Sequence, residues 1–241
     1  MCTVSFIPAG DRVFITSNRD EKIVRNKAIP PKQYISHNVK LLFPKDGEAG
    51  GTWIALRQNG NAVVLLNGGF QKHIPEPSYK KSRGLILIEI ITAAEHLNHF
   101  KLMSLEQIEP FTLVLWEKES LYECRWDGFH KSCKELSAST PHLWSSVTLY
   151  DESVRKKRES WFAGWLKVNP NPALEDILQL HLFGGDGNAN NDFRMNRNNQ
   201  LMTVSVTGME IESGSAKMKY LDLADSCVYE NSLSFLPALA T

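Results

Sequence analysis

The sequence predicts an α+β fold with antiparallel sheets, and three features of its patterning lead to that prediction. Strand-like runs come as neighbouring pairs, as in Thr3–Phe6 and Arg12–Thr16, which are separated by a short turn. Helical patterns cluster in the middle and later parts of the chain, at Ser153–Val168 and Pro172–Phe183. Helices segregated from paired strands are typical of α+β rather than doubly wound proteins. No linker divides the sequence, so we expect residues 1–241 to form one domain.

The other elements are predicted from the same signals, in chain order. Strands are expected at Val39–Phe43, Thr52–Gln58, Asn61–Asn67, Phe111–Trp116, Leu121–Trp126, Trp144–Tyr150, Leu201–Ile211 and Lys217–Leu221. A helix is expected from Ser82 through Ala94, with its end near residues 96–100. Pro30 and Pro31 favour an extended, non-helical path before the first of these strands.

Composition argues against a nucleic-acid partner and against an anionic membrane surface. The chain has 27 basic and 27 acidic residues, so its formal net charge is zero. Two local basic runs, residues 80–83 and 155–158, are interpreted as solvated faces because acidic residues elsewhere balance them. The apolar content of 42% is ordinary for a globular protein.

The cysteines and the hydropathy pattern indicate a cytoplasmic protein. Cys2, Cys124, Cys133 and Cys227 fit neither a zinc-binding spacing nor a secreted disulfide framework. The N-terminus has no signal-peptide pattern, and the most apolar segment, residues 84–95, is too short and too charged to cross a bilayer. We therefore expect no transmembrane segment, and neither a metal ion nor a cofactor.

Cys2 is the first candidate functional residue, because removal of Met1 would leave a thiol and a free α-amine on one residue. The reference pKa is about 7.7–8.0 for an α-amine and about 8.5 for a thiol, so near neutral pH the amine can take the thiol proton. An N-terminal amine acting as the base for its own nucleophile is a known form of covalent catalysis. The competing interpretation is a cysteine that stands at position 2 without any function.

A charged cluster and an asparagine turn are the next candidates. Asn18, Arg19, Asp20 and Glu21 follow a strand-like run, and a hairpin would bring them back beside Cys2. Alternatively, they form a solvated turn or the start of a helix. The run Asn67-Gly68-Gly69 follows a strand that is apolar throughout. An asparagine amide there could stabilise an oxyanion, an effect worth roughly 10²–10³ in rate per donor. A simple turn is the alternative.

Taken together, these motifs resemble the NRDE family, the family of the transport-and-Golgi-organisation protein and its bacterial relatives. The matching segments, in order, are Met1–Val4, Ser17–Glu21, Gly50–Trp53, Leu66–Asn67 and Ser82–Gly84, with looser agreement at Phe111–Leu115 and Trp144–Tyr150. The resemblance implies an N-terminal nucleophile hydrolase-like fold, a four-layer αββα sandwich with two antiparallel sheets. It also implies similarity to penicillin V acylases and bile salt hydrolases.

The resemblance assigns roles to individual residues. Cys2 would be the nucleophile and its amine the base, Arg19 and Asp20 would hold the thiolate and the amine, and Asn67 would supply an oxyanion donor. Ser146 aligns with a second acylase asparagine, and Arg194 or Arg197 are candidates for a late acylase arginine. Asn18, Trp53 and Gly68 are the expected substrate-binding residues.

Two functions follow from the resemblance. The first is hydrolysis of a linear, non-peptide amide through a thioester on Cys2. The second is a non-catalytic binding or carrier role for haem or for an acyl or lipid conjugate.

Overall fold

Two antiparallel β-sheets form the middle of the structure, a computed structural model that describes residues 3–235. The strands of the first sheet are β1 (Thr3–Ala9), β2 (Arg12–Lys22), β10 (His142–Ser145), β11 (Asn196–Arg197), β12 (Leu201–Glu212), β13 (Ser215–Asp222) and β14 (Cys227–Ser234). Their order is β10-β1-β2-β12-β13-β14, and the short β11 pairs with β12. β2 therefore lies in the interior of its sheet, between β1 and β12.

The second sheet is a meander in which sequence neighbours are also neighbours in space. Its strands are β3 (Ile29–Ser36), β4 (Val39–Lys45), β5 (Ile54–Arg57), β6 (Ala62–Asn67), β7 (Phe111–Glu117), β8 (Ser120–Trp126) and β9 (Lys131–Leu136). They are hydrogen-bonded in the order β3-β4-β5-β6-β7-β8-β9, and every pair is antiparallel. β3 and β9 are the edges of this sheet.

Helices cover the outer face of each sheet. α1 (Arg83–Thr92) and α2 (His96–Leu102) pack on the second sheet, and α3 (Glu152–Val168) and α4 (Leu174–Phe183) pack on the first. The inner faces of the sheets meet in one apolar core, where the rings of Phe6 and Trp116 lie 5.5 Å apart. A second core between the first sheet and α3–α4 contains Phe14, Phe162 and Ile177. The predicted αββα arrangement of an α+β protein is confirmed.

The first hairpin places the charged cluster inside a strand. β1 and β2 pair with Thr3 opposite Asn18, around a turn in which Gly10 has a φ of +66°. β2 continues to Lys22 because β12 pairs with it along its other side, from Leu201 onward. Residues 18–21 are therefore part of a strand and do not form the turn or helix start that was the alternative prediction. Asn18, Arg19 and Asp20 are buried in β2 because β12, which is distant in sequence, pairs with this strand.

The helix expected from Ser82 through Ala94 ends early, and a separate α2 follows. Glu117 at the end of β7 accepts the backbone N–H groups of His96 at 2.7 Å and Leu97 at 3.1 Å. These are donors of the first turn of α2, which every helix leaves without intrahelical partners. Glu117 thus stabilises the start of α2. Because it lies about twenty residues away in sequence, local patterning does not reveal this helix start.

Other differences concern the edges of the sheets. β3, β9 and β14 were not predicted as strands, and each lies at the end of its sheet with few buried residues. The extended segment expected at Trp144–Tyr150 is a strand only as far as Ser145, with turns after it. Within residues 3–235, no helix is long and apolar enough to cross a membrane.

Candidate functional site

A cavity of about 390 Å³ lies at the end of β2 and β6 and includes three of the residues predicted from the sequence, Arg19, Trp53 and Asn67. The first turn of α1, residues 82–84, forms another part of its wall. Gly51 and Gly84 let the loop before β5 touch this helix, since a Cβ added to Gly51 would lie 2.4 Å from the carbonyl carbon of Gly84. Three of the segments that match the family, Ser17–Glu21, Gly50–Trp53 and Ser82–Gly84, therefore meet at this cavity.

Arg19 is the buried cation of this cavity, with a relative exposure of 4%. Its guanidinium lies 4.8 Å from the centre of the Trp53 ring and donates a hydrogen bond of 2.8 Å to Asp46. Asp46 also accepts two hydrogen bonds from Arg25, at 3.0 and 3.1 Å. Burial alone would raise the pKa of Asp46, but the Arg25 hydrogen bonds, a backbone N–H and both guanidinium charges lower it to about 2. Arg19 is thus held by a carboxylate that stays ionised.

Trp53 has an unusual environment for its polar atom. The residue is 3% exposed, and its indole Nε1 is buried without an acceptor among residues 3–235. Buried N–H groups are nearly always hydrogen-bonded, so this exception supports Trp53 as a candidate binding residue. Trp53 lines the cavity beside Arg19.

Asn67 is the last residue of β6, and hydrogen bonds hold its backbone and that of the next residue in place. Its backbone carbonyl accepts a 2.8 Å hydrogen bond from the hydroxyl of Ser146. Gly68 follows with a φ of +86°, donates its N–H to Pro110 at 3.0 Å and accepts from the Thr112 hydroxyl at 2.8 Å. Because the Gly68 N–H is already used, the side-chain amide of Asn67 is the better candidate for an oxyanion donor.

Asp20 and Asn18 point to the other side of β2, because successive strand residues face opposite ways. Asp20 accepts hydrogen bonds from Thr203 at 2.6 Å and from the phenol of Tyr150 at 3.3 Å. Asn18 is fully buried and donates to the backbone carbonyls of His181 at 3.0 Å and Phe193 at 2.8 Å. Asn18 does not line the cavity, so its placement offers no support for a substrate contact.

The first strand is held from the helical layer by two residues that the sequence analysis did not single out. Arg158 of α3 is fully buried and donates to the Thr3 hydroxyl at 2.5 Å. Its guanidinium stacks 4.1 Å from the ring centre of Tyr150. His181 of α4 shares a 2.8 Å hydrogen bond with the hydroxyl of Ser5.

Arg158 corrects the prediction that residues 155–158 form a solvated face. Arg158 lies four residues after Val154 and four before Phe162, so all three share one side of α3. Val154 and Phe162 make that side of the helix apolar, so the spacing could have revealed the buried arginine.

The two late arginines have different surroundings. Arg197 donates to the backbone carbonyl of Leu149 at 2.9 Å and lies 5.3 Å from the ring centre of Tyr150. Tyr150 also donates a hydrogen bond to Asp20. Tyr150 therefore lies between Arg197 and Asp20, a residue of the predicted site. Arg194 is exposed. Of the two, Arg197 has the surroundings that suit the predicted role.

A second cavity, of about 360 Å³, adjoins the first and shares Arg19, Glu21 and Arg25 with it. Much of its remaining wall is apolar, with contributions from Ile23, Ala28, Met202, Val204, Tyr220 and Leu223.

Neither cavity is associated with a metal-binding cluster, since no three His, Cys, Asp or Glu side chains converge within the described residues. Cys2 itself lies outside residues 3–235.

Solved structures with the same fold include an N-acylethanolamine-hydrolyzing acid amidase ortholog from Caenorhabditis elegans. It aligns with a TM-score of 0.60 and 11% identity over 86% of this chain and 92% of its own. Two variants of the conjugated bile acid hydrolase from Clostridium perfringens align over 100% of this chain and 99% of theirs. Their TM-scores are 0.57 and 0.56, with identities of 9% and 8%. This likeness shows the N-terminal nucleophile hydrolase fold.

Sequence comparison identifies the family. Among curated proteins, none is significantly similar to this chain. Residues 1–205, however, match the profile of a family described as Transport and Golgi organisation 2. This range contains every residue that lines the first cavity. The motifs that meet at the first cavity all lie within the matched range. The chain belongs to the Transport and Golgi organisation 2 family.

Proposed function

We propose that this protein hydrolyses a linear amide through a thioester on Cys2, after removal of Met1. The observation that carries the proposal is the convergence of Arg19, Trp53 and Asn67 on one cavity at the end of the first hairpin. Cys2 precedes Thr3, whose strand partner Asn18 is the neighbour of Arg19 in sequence. The fold is shared with an acid amidase and a bile acid hydrolase, which supports a hydrolytic reaction of this class.

The chemistry requires only groups of this chain and water. The free α-amine of Cys2 takes the thiol proton, and the thiolate attacks the amide carbonyl carbon. The side-chain amide of Asn67 donates to the oxyanion that forms. When the intermediate collapses, the C–N bond breaks and the leaving nitrogen takes the proton from the α-ammonium. Water, deprotonated by the same amine, then releases the acid from the thioester.

The surrounding residues have supporting roles in this proposal. Arg19 would hold the thiolate, and its pairing with the ionised Asp46 keeps the guanidinium in place. Asp20 would hold the α-ammonium, with its two oxygens oriented by Thr203 and Tyr150. Ser146 would fix the backbone of Asn67, which directs the amide. Arg197, beside Tyr150, is proposed as the late arginine.

The test is labelling with an activated acyl probe, on protein whose N-terminus is shown by mass spectrometry to begin at Cys2. Acylation at Cys2 that hydrolyses with time is the expected result, with none in Cys2→Ala. Cys227→Ser is the matched control, because that cysteine is exposed but remote in sequence from the site. Absence of Cys2 acylation in correctly processed protein would refute the proposal.

A cytoplasmic location belongs to the same proposal, because cytosolic aminopeptidases remove Met1 when the second side chain is small. Expression of the chain with a C-terminal tag in a cytoplasm, followed by N-terminal mass analysis, tests the required processing. Retention of Met1 would leave the amine of Cys2 in a peptide bond and remove the proposed base.

The second cavity favours one alternative function, a carrier for an acyl conjugate. Its apolar residues could accommodate a hydrocarbon chain, and the shared Arg19 and Arg25 could pair with a charged head group in the first cavity. Titration of Cys2→Ala with a fluorescent acyl conjugate, and separately with haemin, distinguishes the functions. Tight binding without turnover of any amide in the wild type would favour the carrier; unchanged haemin spectra would exclude haem.

A further inference from the structure

Cys124 and Cys133 face each other across two strands on the helix-covered side of the second sheet. Cys124 in β8 is the direct partner of Cys133 in β9, and both are free thiols. Directly opposite residues of an antiparallel pair have Cα atoms about 4.5–5.5 Å apart. Disulfides span Cα separations of about 4.4–6.8 Å, so the Cα separation of this pair is within the range that a disulfide can bridge.

The two thiols differ in exposure in the way that a reacting and a resolving cysteine do. Cys124 is fully buried, whereas Cys133 is half-buried on the edge strand. A reagent from solvent therefore reaches Cys133 first. Cys124 is then the only other described cysteine positioned to attack the sulfur of Cys133, because exposed Cys227 lies in the other sheet.

A hydrogen bond and two nearby lysines favour the thiolate of Cys133. The hydrogen bond from the Cys124 thiol is the largest influence, and together with Lys101 and Lys131 it outweighs burial and lowers the pKa of Cys133 to about 7. The same hydrogen bond and burial raise the pKa of Cys124, which stays a thiol. Lys131 is held in position by donating to the backbone carbonyl of Lys101 at 2.9 Å. The thiolate is the form of cysteine that reacts with electrophiles.

We propose that Cys124 and Cys133 are a redox-modification site that a hydroperoxide converts into an intramolecular disulfide. The Cys133 thiolate attacks the distal peroxide oxygen, the O–O bond breaks, and the products are a sulfenic acid and water or an alcohol once a proton is taken up. The Cys124 thiol then attacks the sulfenic sulfur and expels water. In sum, two thiols and one hydroperoxide give one disulfide, one water and a second water or alcohol, and a dithiol reductant reverses the change.

The modification has a structural consequence at the edge of the sheet. β9 pairs only with β8 within the described chain, and each of its residues is exposed or half-buried. A bond between Cys124 and Cys133 closes a short loop and ties this edge strand to its neighbour. We expect the oxidised protein to have a melting temperature raised by roughly a few degrees.

The experiment uses the full chain carrying Cys2→Ser and Cys227→Ser, so that only this pair remains. Treatment with a few equivalents of hydrogen peroxide, followed by proteolysis and mass spectrometry, should give a Cys124–Cys133 crosslink that has lost two hydrogen atoms. Dithiothreitol should restore both thiols. In Cys124→Ser, dimedone should trap the sulfenic acid on Cys133.

Matched variants make the outcome decisive. Cys133→Ser should leave Cys124 unreacted, because the buried thiol does not meet the oxidant first. In the otherwise wild-type chain, the pair should be oxidised at least several-fold faster than Cys227. Oxidation of Cys133 no faster than that of Cys227, or a crosslink only between molecules, would overturn the proposal and leave the pair as ordinary core thiols. The result is independent of whether Cys2 is catalytic.

Discussion

Arg158 donates a hydrogen bond of 2.5 Å to the hydroxyl of Thr3, the first residue of the structure described, across 155 residues of sequence. Both residues are fully buried. The guanidinium lies between the rings of Tyr150 and Phe193, at 4.1 and 4.8 Å from their centres. α3 is therefore tied to β1, whose first described residue follows Cys2 in sequence. The packing of this helix bears on the position of the proposed nucleophile.

We predict that Arg158→Gln lowers the free energy of unfolding by about 2–4 kcal/mol, since it removes two cation–π contacts and leaves the buried Thr3 hydroxyl without its donor. Urea denaturation of the purified variant measures the change. Lys156→Gln is the control on the same helix, because Lys156 is 70% exposed and pairs with exposed Glu152. That variant should have the same urea midpoint as the wild type, because exposed ion pairs add little to stability. Equal effects of the two substitutions would contradict the anchoring role.

The interior of the fold could be predicted from the sequence, whereas its edges could not. β6 and β7 are apolar runs, and the hydrophobic side of α3 follows a helical period, so local patterning is sufficient for them. β9 and β14 are mostly polar strands that exist because a neighbouring strand offers its backbone groups. Local patterning contains no information about that neighbour.

The candidate site shows the same division. Arg19, Trp53 and Asn67 were named from short motifs, and they do line one cavity. Asp46, which accepts from Arg19, lies outside the motifs named from the sequence. Contacts between residues far apart in sequence, such as that of Ser146 with Asn67, need the assembled sheets before they can be identified.

Gly68→Ala should be strongly destabilising, because two effects add at this position. The residue has a φ of +86°, and a Cβ there would lie 2.6 Å from Val147 Cγ2 and 2.8 Å from Thr148 Cγ2. We expect a loss of about 2–4 kcal/mol from left-handed strain and overpacking together. Gly10→Ala separates the effects, since Gly10 has a φ of +66° but nothing within 4 Å of its added Cβ.

For Gly10→Ala the loss should be about 1 kcal/mol, from backbone strain alone. Both variants can be compared by thermal unfolding followed by circular dichroism. If Gly68→Ala is no less stable than Gly10→Ala, the turn after Asn67 is looser than its contacts indicate.

Ser146→Ala tests the support of Asn67. The substitution leaves the Asn67 carbonyl without the 2.8 Å hydrogen bond, at a cost of about 1–2 kcal/mol of stability. If the proposed amide hydrolysis takes place, kcat should fall by about tenfold in Ser146→Ala and by about 10²–10³ in Asn67→Ala. Steady-state rates with an amide that the wild type cleaves give both values. A larger effect on Ser146 than on Asn67 would argue against an oxyanion role for the Asn67 amide.

His181 should make stability depend on pH in the mildly acidic range. Asn18 turns its carbonyl oxygen to His181 Nδ1, because its Nδ2 donates to two backbone carbonyls, so Nδ1 carries the proton and Nε2 accepts from Ser5. Burial, and next the charge of Arg158, lower the pKa of His181 to about 3. An unfolded histidine has a pKa of about 6.5, so between these values only the unfolded state gains a proton.

Stability from neutral His181 is therefore fully present above about pH 6.5 and is lost as the pH falls toward 3, by about 2 kcal/mol between pH 7 and pH 5. Urea denaturation at several pH values should show this decline in the wild type and a shallower one in His181→Gln. His96, whose pKa burial also lowers, remains in both proteins and cancels in the comparison. Asp46, with a pKa of about 2, adds its own loss only below roughly pH 4. Parallel pH profiles for the two proteins would mean that His181 does not stay neutral in the fold.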